Sequence, residues 1–177
     1  RWAQNWEFQA LLKARPCAGD QRTGEEFLRL ASPFIWEASA RDGFVDDVRS
    51  MRVQVERSVP EKNRDQELKL GVGGLRDIEF SVQFLQLVHG RNDERIRQAS
   101  TLDALEALSA EGYIARSDAA SLRESYAYLR TLEHRSQLLR MHRTHNLPHS
   151  QSQLERLVRS LYGTDTSTHD LHEHLRS

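Results

Sequence analysis

Cysteine occurs once, at Cys17, so the chain has no internal disulfide to draw on, and a reducing compartment, the cytoplasm, is expected. No base neighbours Cys17 beside Pro16, and it reads as a small packed residue rather than a nucleophile. Proline (4) and glycine (9) are scarce among 177 residues, which excludes a sandwich or barrel of many short strands. No apolar run approaches the ~18 residues of a membrane span. The opening Arg1-Trp2-Ala3-Gln4 lacks a basic-then-apolar leader pattern, and both ends read as interior to a longer chain. Neither sign of charge dominates: Lys+Arg is 25, Asp+Glu is 26, and the formal net charge is −1. That excludes a clamp on nucleic acid or on an acidic membrane driven by overall charge, and neither partner is expected. There is no internal repeat and no low-complexity tract.

What is present is helical periodicity. Trp6, Gln9, Leu12 and Lys13 share a face of a first helix that runs to about Arg15 and stops before Pro16. A second helix covers about Gly24 to Ala40, with Phe27, Leu28, Ala31, Phe34 and Ile35 as its apolar stripe and a kink or break expected at Pro33. Phe44, Val48, Met51, Val55 and Val59 define a third, stopped by Pro60. A charged loop follows, and then the most apolar helix of the chain, Leu75 to His89, with Gly90 closing it in the C′ position. A short helix covers Thr101 to Ala110. A long one covers Ser117 to Arg143, with Ser117 and Asp118 as capping candidates. Asn146-Leu147-Pro148 breaks it, and a last helix runs from Ser150 to Leu161, closed by Gly163. The expected fold is all-α, a bundle of about six to seven helices with no sheet. Residues 1–162 form the bundle and 163–177 a polar C-terminal segment.

The junction at residues 69–80 carries the most chemistry. Gly71, Gly73 and Gly74 lead straight into a helix whose N-terminus is expected to present free N–H groups and a partial positive charge suited to phosphate, and Lys69 and Arg76 flank them. The alternative is a turn that only caps a buried helix. It is not a Walker loop, because no Lys-Ser or Lys-Thr follows. On the helix, Arg76, Glu79, Gln83 and Gln86 make a narrow polar stripe on an otherwise apolar cylinder. Buried polar groups need partners, so the stripe meets either an internal ion-pair network or a wet cleft. Asp77 and Glu79 point about 200° apart on a helix and cannot clamp one ion. Asp46-Asp47 reads as a solvated face. Glu133, His134 and Arg135 sit mid-helix, where a satisfied core salt bridge is expected. Arg140, His142, Arg143 and His145 form a local basic patch, either a site for an anionic partner or a solvated helix end. His169, His172 and His174 have no second shell in view and make a poor structural zinc site.

The run from Lys69 to Gly90, KLGVGGLRDIEFSVQFLQLVHG, closely resembles the helical domain of the bifunctional glutamine-synthetase adenylyltransferase/adenylyl-removing enzymes. The segments Trp6 to Arg15, Leu129 to Arg135 and Arg143 to Pro148 resemble the family in the same order, so the resemblance spans about residues 1–162. It implies a helical bundle that follows a nucleotidyltransferase domain, in the version found in the N-terminal, adenylyl-removing half. There, phosphate displaces AMP from a tyrosine of glutamine synthetase and ADP is released, while the other half attaches AMP from ATP. It implies glutamine synthetase, a PII-type signalling protein and the chain's own nucleotidyltransferase domain as partners. The family's Gly-Ser and paired-aspartate signature for two Mg²⁺ ions is missing here, so Mg²⁺ and ATP chemistry fall to that other domain and no catalytic or metal-binding residue is assigned to this chain.

The expected role is the substrate-side wall of a nucleotidyltransferase that acts in nitrogen regulation. Lys69, Gly73, Gly74, Arg76, Asp77, Glu79 and Gln83 are the candidate cleft contacts: Arg76 for a phosphate or carboxylate, Glu79 and Gln83 for a neighbouring loop or the substrate peptide. Two alternatives stand beside it, the equivalent helical domain of the PII uridylyltransferase and a pure interaction module that docks a PII-type regulator.

Overall fold

The computed structural model describes residues 4–163 together with Thr168, Leu171 and Leu175. Seven α-helices account for most of them: α1 (Asn5–Leu11), α2 (Gln21–Trp36), α3 (Phe44–Arg57), α4 (Leu75–His89), α5 (Thr101–Ala110), α6 (Arg116–Arg140) and α7 (Gln151–Tyr162). Short 3-10 turns sit at Ala38–Ala40, Glu61–Gln66 and Glu94–Ile96. Among the described residues there is no strand. A single antiparallel bridge joins Glu67 to Asn146.

Local chemistry explains most boundaries. In α1 the Gln4 N–H donates to Glu7 Oε2 at 2.6 Å, half of a capping box. The helix ends earlier than expected, because Lys13 and Ala14 donate to Ala10 and Leu11, a tighter i→i−3 pattern that closes it before Pro16 matters. Asp20 caps α2 by accepting from the Thr23 N–H at 2.8 Å, which starts that helix ahead of Gly24. Pro33 lies inside α2, which runs on to Trp36. Helix α6 begins at Arg116 with Ala115 as N-cap and no side-chain cap, so Ser117 and Asp118 do not serve as expected. They stand inside the first turn and Ser117 Oγ bonds Asp118 Oδ1 at 3.3 Å. The helix ends at Arg140, where Met141 turns left-handed (φ 51°). Gly90 also differs from expectation. Its φ is −66°, so it is no left-handed C′ glycine. A Cβ there would lie 2.6 Å from Trp36 Cζ3, and glycine is what lets the indole of α2 reach the end of α4.

Helix α4 is the shared wall of two apolar clusters. Ile78 and Val82 join Ile96, Leu105, Leu108, Leu129, Leu132 and Leu157 in the larger one. Leu87 joins Phe8, Ile35, Phe44 and Val48 in the smaller one, with Phe84 and Val88 packed against it. This makes α4 the central helix, in touch with α1, α2, α3, α5 and α6. Helix α2 is the opposite case. Ile35 is buried, but Phe27 and Phe34 are 53% and 68% exposed, so only part of its expected apolar stripe faces the core. Cys17 is exposed as well, rather than packed. No helix among the described residues is long and apolar enough to cross a membrane.

Ile78→Ala removes a buried side chain from the larger cluster and should cost ~2–5 kcal/mol. Leu30→Ala, at an exposed position of α2, should stay within about 0.5 kcal/mol. Urea denaturation of both variants checks the ranking; equal losses would mean that α4 is not central.

Candidate functional site

The glycine loop is tight. The Leu75 N–H donates to Leu68 O (3.0 Å), Arg76 N–H to Lys69 O (2.9 Å) and Asp77 N–H to Gly74 O (3.0 Å). Gly73 holds a left-handed φ of 73°, and its N–H donates to Asp77 Oδ2 at 2.8 Å. A Cβ on Gly74 would lie 2.9 Å from Lys69 O. The glycines therefore let the loop fold back and satisfy the start of α4 from within. The first N–H groups of that helix are occupied, which corrects the expectation that they stand free for phosphate. Any anion here must be met by side chains.

The polar stripe of α4 divides among three surroundings. Gln86 is buried and its Nε2 donates to Ile96 O and Gln98 O, both at 2.8 Å, which pins the loop before α5. Glu79 enters an ion network with α6. Its Oε1 accepts from Arg130 Nη2 at 2.6 Å and from the Tyr126 hydroxyl at 3.2 Å, and Oε2 accepts from Arg76 Nη1 at 3.3 Å. The same Arg130 donates through Nη1 to Glu133 Oε2 at 2.7 Å. Glu133 Oε1 lies 2.7 Å from His145 Nδ1 and 3.9 Å from Lys69 Nζ. The side chains of Glu79 and Glu133 are only 5% and 2% exposed, so this is the satisfied core salt bridge expected at Glu133. The third surrounding is a cavity of about 460 Å³ between α1, α3 and α4, which Arg76 and Gln83 line together with Gln9 and Lys13.

The structure thus brings Lys69, Arg76 and Glu79 into one charged network and sets Gln83 beside it. Asp77 is apart: it pairs with Arg52 of α3 and receives the Gly73 N–H. Gly73 is exposed and Gly74 is buried as the N-cap of α4. Asp77 and Glu79 are each taken up by an arginine, on different sides of α4, and do not make a cation site. Among the described residues no group of three or more His, Cys, Asp or Glu is placed to hold a metal. His169, His172 and His174 lie outside the described residues. In the basic patch, His145 turns inward to Glu133, while His142 and Arg143 remain exposed. Sequence reasoning gave no role to Arg130, Tyr126, Gln9 or Lys13. The spacing Tyr126, Arg130, Glu133 on one face of α6 was the available signal.

Electrostatics follow from this geometry. Burial holds the Lys13 ammonium below its ordinary value; Glu79 opposes that shift, and Arg130, Arg76 and Lys69 add to it. Burial pushes the Glu133 carboxyl up, but Arg130, His145 and Lys69 outweigh it and leave the group below the usual carboxylate range.

Residues 49–177 match the family model described as GlnD PII-uridylyltransferase. The chain is 56% identical over 161 residues, 91% of its length, to a bifunctional glutamine synthetase adenylyltransferase/adenylyl-removing enzyme of Streptomyces avermitilis. To proteins of the same name it is 59% identical over 148 residues in Mycobacterium tuberculosis and 51% over 178 residues in Mycolicibacterium smegmatis. The chain belongs to this family, on its adenylyltransferase/adenylyl-removing side. The family model named for the uridylyltransferase marks a related protein rather than a better reading, since these relatives at 51–59% identity carry the adenylyltransferase name. The chain spans only 16% of the Streptomyces relative, 15% of the M. tuberculosis one and 18% of the Mycolicibacterium one.

A pH prediction comes from Glu133. A carboxyl held low in the folded state adds stability that is present above its unfolded value, about 4.3, and is lost as pH falls through the folded value. Glu133→Gln should therefore be less stable than the parent at pH 7 and lose less stability on going from about pH 5 to pH 3. Thermal melts across that range check it. Parallel curves for parent and variant would mean that the pair contributes nothing.

Proposed function

We propose that this chain is the helical domain beside the nucleotidyltransferase domain in the adenylyl-removing half of an enzyme that adenylylates and deadenylylates glutamine synthetase. Residues 1–162 form that domain, and beyond them Leu171 is buried in its larger apolar cluster with Leu175 packed against it. The observation that carries the reading is the cationic surface at the glycine-helix junction. Lys13, Lys69, Arg76 and Arg130 gather around only two buried acids, Glu79 and Glu133. Such an excess suits the phosphate charge handled when inorganic phosphate displaces AMP from an adenylylated tyrosine. In that step the tyrosyl O–P bond breaks, the phosphate oxygen bonds the AMP phosphorus, and ADP leaves.

Mg²⁺ belongs to the neighbouring domain in this reading, because Asp77 and Glu79 are taken by arginines and do not fit a two-metal clamp. What this chain supplies is positioning. Arg76 stands half-buried on the first turn of α4, braced on Glu79 and laid over the Phe80 ring at 5.3 Å. Glu79 keeps Arg130 and Tyr126 if Arg76 is removed, so Arg76 is free to act outward. Lys69, Gly73, Gly74, Asp77, Glu79 and Gln83 hold the loop and helix on which it stands or border the same surface. The partners are glutamine synthetase, a PII-type signalling protein and the adjoining nucleotidyltransferase domain. The exposed apolar face of α2, with Phe27, Leu30 and Phe34, supports a further protein contact there.

Arg76→Ala in the longer enzyme should lower adenylyl removal by about 10²-fold or more, and lysine should rescue it poorly because the planar fork is lost. The same substitution should change the stability of the chain by no more than about 1 kcal/mol, as for a half-exposed pair. Release of ADP from adenylylated glutamine synthetase reads the first quantity and urea denaturation the second. Unchanged activity with a large loss of stability would make Arg76 a strut. The 177-residue chain alone, given phosphate and Mg²⁺, should release no ADP above background.

A further inference from the structure

The cavity between α1, α3 and α4 has a chemistry of its own. Gln9 is 3% exposed, lines the cavity, and its Nε2 has no hydrogen-bond partner. Arg76 lines the same space, and its buried Nε also lacks a partner. Lys13 stands on the wall with its ammonium donating to Thr101 Oγ1 at 2.5 Å, and Gln83, 5% exposed, lies opposite on α4. Buried donors left without acceptors are costly and rare in folded proteins, so each calls for a missing acceptor. The remaining wall is apolar apart from Ser58, with Met51 of α3 and Phe80 of α4 prominent.

We infer that this cavity binds a small molecule with an anionic head, a carboxylate or a phosphate, and a short apolar body. The unpartnered groups are N–H donors, which favours an acceptor over a cation. The Arg76 Nε–H and the Gln9 amide N–H, on residues that line the same cavity, suit a head with two oxygens. The charge balance agrees: burial lowers the Lys13 pKa, Glu79 opposes that shift, Arg130, Arg76 and Lys69 add to it, and an anion would relieve the repulsion among these cations. The volume, about 460 Å³, lies within the range of small-ligand sites and leaves room for a body against Met51 and Phe80. Water alone satisfies the donors but not the surplus positive charge or the apolar wall. This inference goes beyond the catalytic reading: it concerns what these residues bind by themselves, with no neighbouring domain required.

Calorimetric titration of the 177-residue chain tests it, with hexanoate, phenyl phosphate, inorganic phosphate and hexanamide as probes. At least one of the two apolar-bodied anions should bind, and whichever binds tighter identifies the head. Hexanamide, which has the same body as hexanoate without charge, should bind at least about tenfold weaker than the better anion, and inorganic phosphate should be weaker than phenyl phosphate. Gln9→Glu places a carboxylate among the donors from within. It should weaken the better anion at least about tenfold while leaving the melting temperature equal or higher. Should that variant fail to fold, Lys13→Met, which keeps the stem and removes the charge, should give a loss of the same size. Binding no tighter than about 10 mM for both apolar-bodied anions would overturn the inference. So would equal affinity for anion and amide, or an affinity unmoved by the folded variant. Adenylyl removal is not the readout, so this site and the catalytic reading stand or fall separately.

Discussion

Two carboxylates buried in the middle of the bundle, Glu79 on α4 and Glu133 on α6, set the terms for the rest of the molecule. An ionised carboxylate without a partner in such a place is far more costly than one in water. A single guanidinium answers both: Arg130 forks to Glu79 with one terminal nitrogen and to Glu133 with the other. That geometry fixes the register of α4 against α6, because a slip of one residue on either helix would turn a carboxylate away from the fork. The free oxygens then dictate what surrounds them. Glu133 Oε1 draws His145 and Lys69 inward from two loops, and the Glu67–Asn146 bridge, with Leu68 N–H on His145 O, holds those loops side by side.

The glycine junction follows from the same constraint. Lys69 must reach Glu133 while Leu68 and Lys69 turn their carbonyls onto the start of α4. Only a loop with a left-handed Gly73 and a side-chain-free Gly74 fits between. Since Arg130 and Tyr126 already serve Glu79, Arg76 is left half-exposed with an unpartnered Nε, and the cation surplus gathers at the edge of the network rather than its centre. An internal strut thereby leaves a buried donor on Arg76, which lines the cavity between α1, α3 and α4. The proposed function and the anion cavity both depend on that consequence.

Much of this was readable in the residues. The 3.6 period placed α4 and α5 at their observed ends, and the nearly all-round apolar character of α4 marked it as the buried centre. The Arg76-Glu79-Gln83-Gln86 stripe called for either an internal network or a wet cleft, and its members divide between the two. What failed were inferences that depend on third parties. The α2 stripe looked inward by period, yet Phe27 and Phe34 find no neighbour among the described residues to cover them and stay exposed. Gly90 carried a capping signal, but the indole of Trp36, distant in sequence, gives that glycine its reason. The loop glycines suggested an open phosphate cradle, yet the carbonyls of Leu68 and Lys69 occupy the N–H groups. Arg130 was hidden because its two acids lie on different helices, and periodicity within one helix shows only the Glu133 half of the pair. The helical period puts Gln9 on one face with Trp6 and Leu12, but its burial beside α3 and α4 depends on packing that periodicity within α1 does not show.

The claim at the centre is that Arg130 is the keystone of the two buried acids. The most direct measurement is urea denaturation of Arg130→Met beside the same change combined with Glu79→Gln and Glu133→Gln. The single substitution leaves two buried carboxylates without their main partner and should cost about 3–5 kcal/mol, while neutralising both acids should restore a large part of that loss. A loss below about 1 kcal/mol for Arg130→Met, or a triple variant no more stable than the single one, would contradict the account.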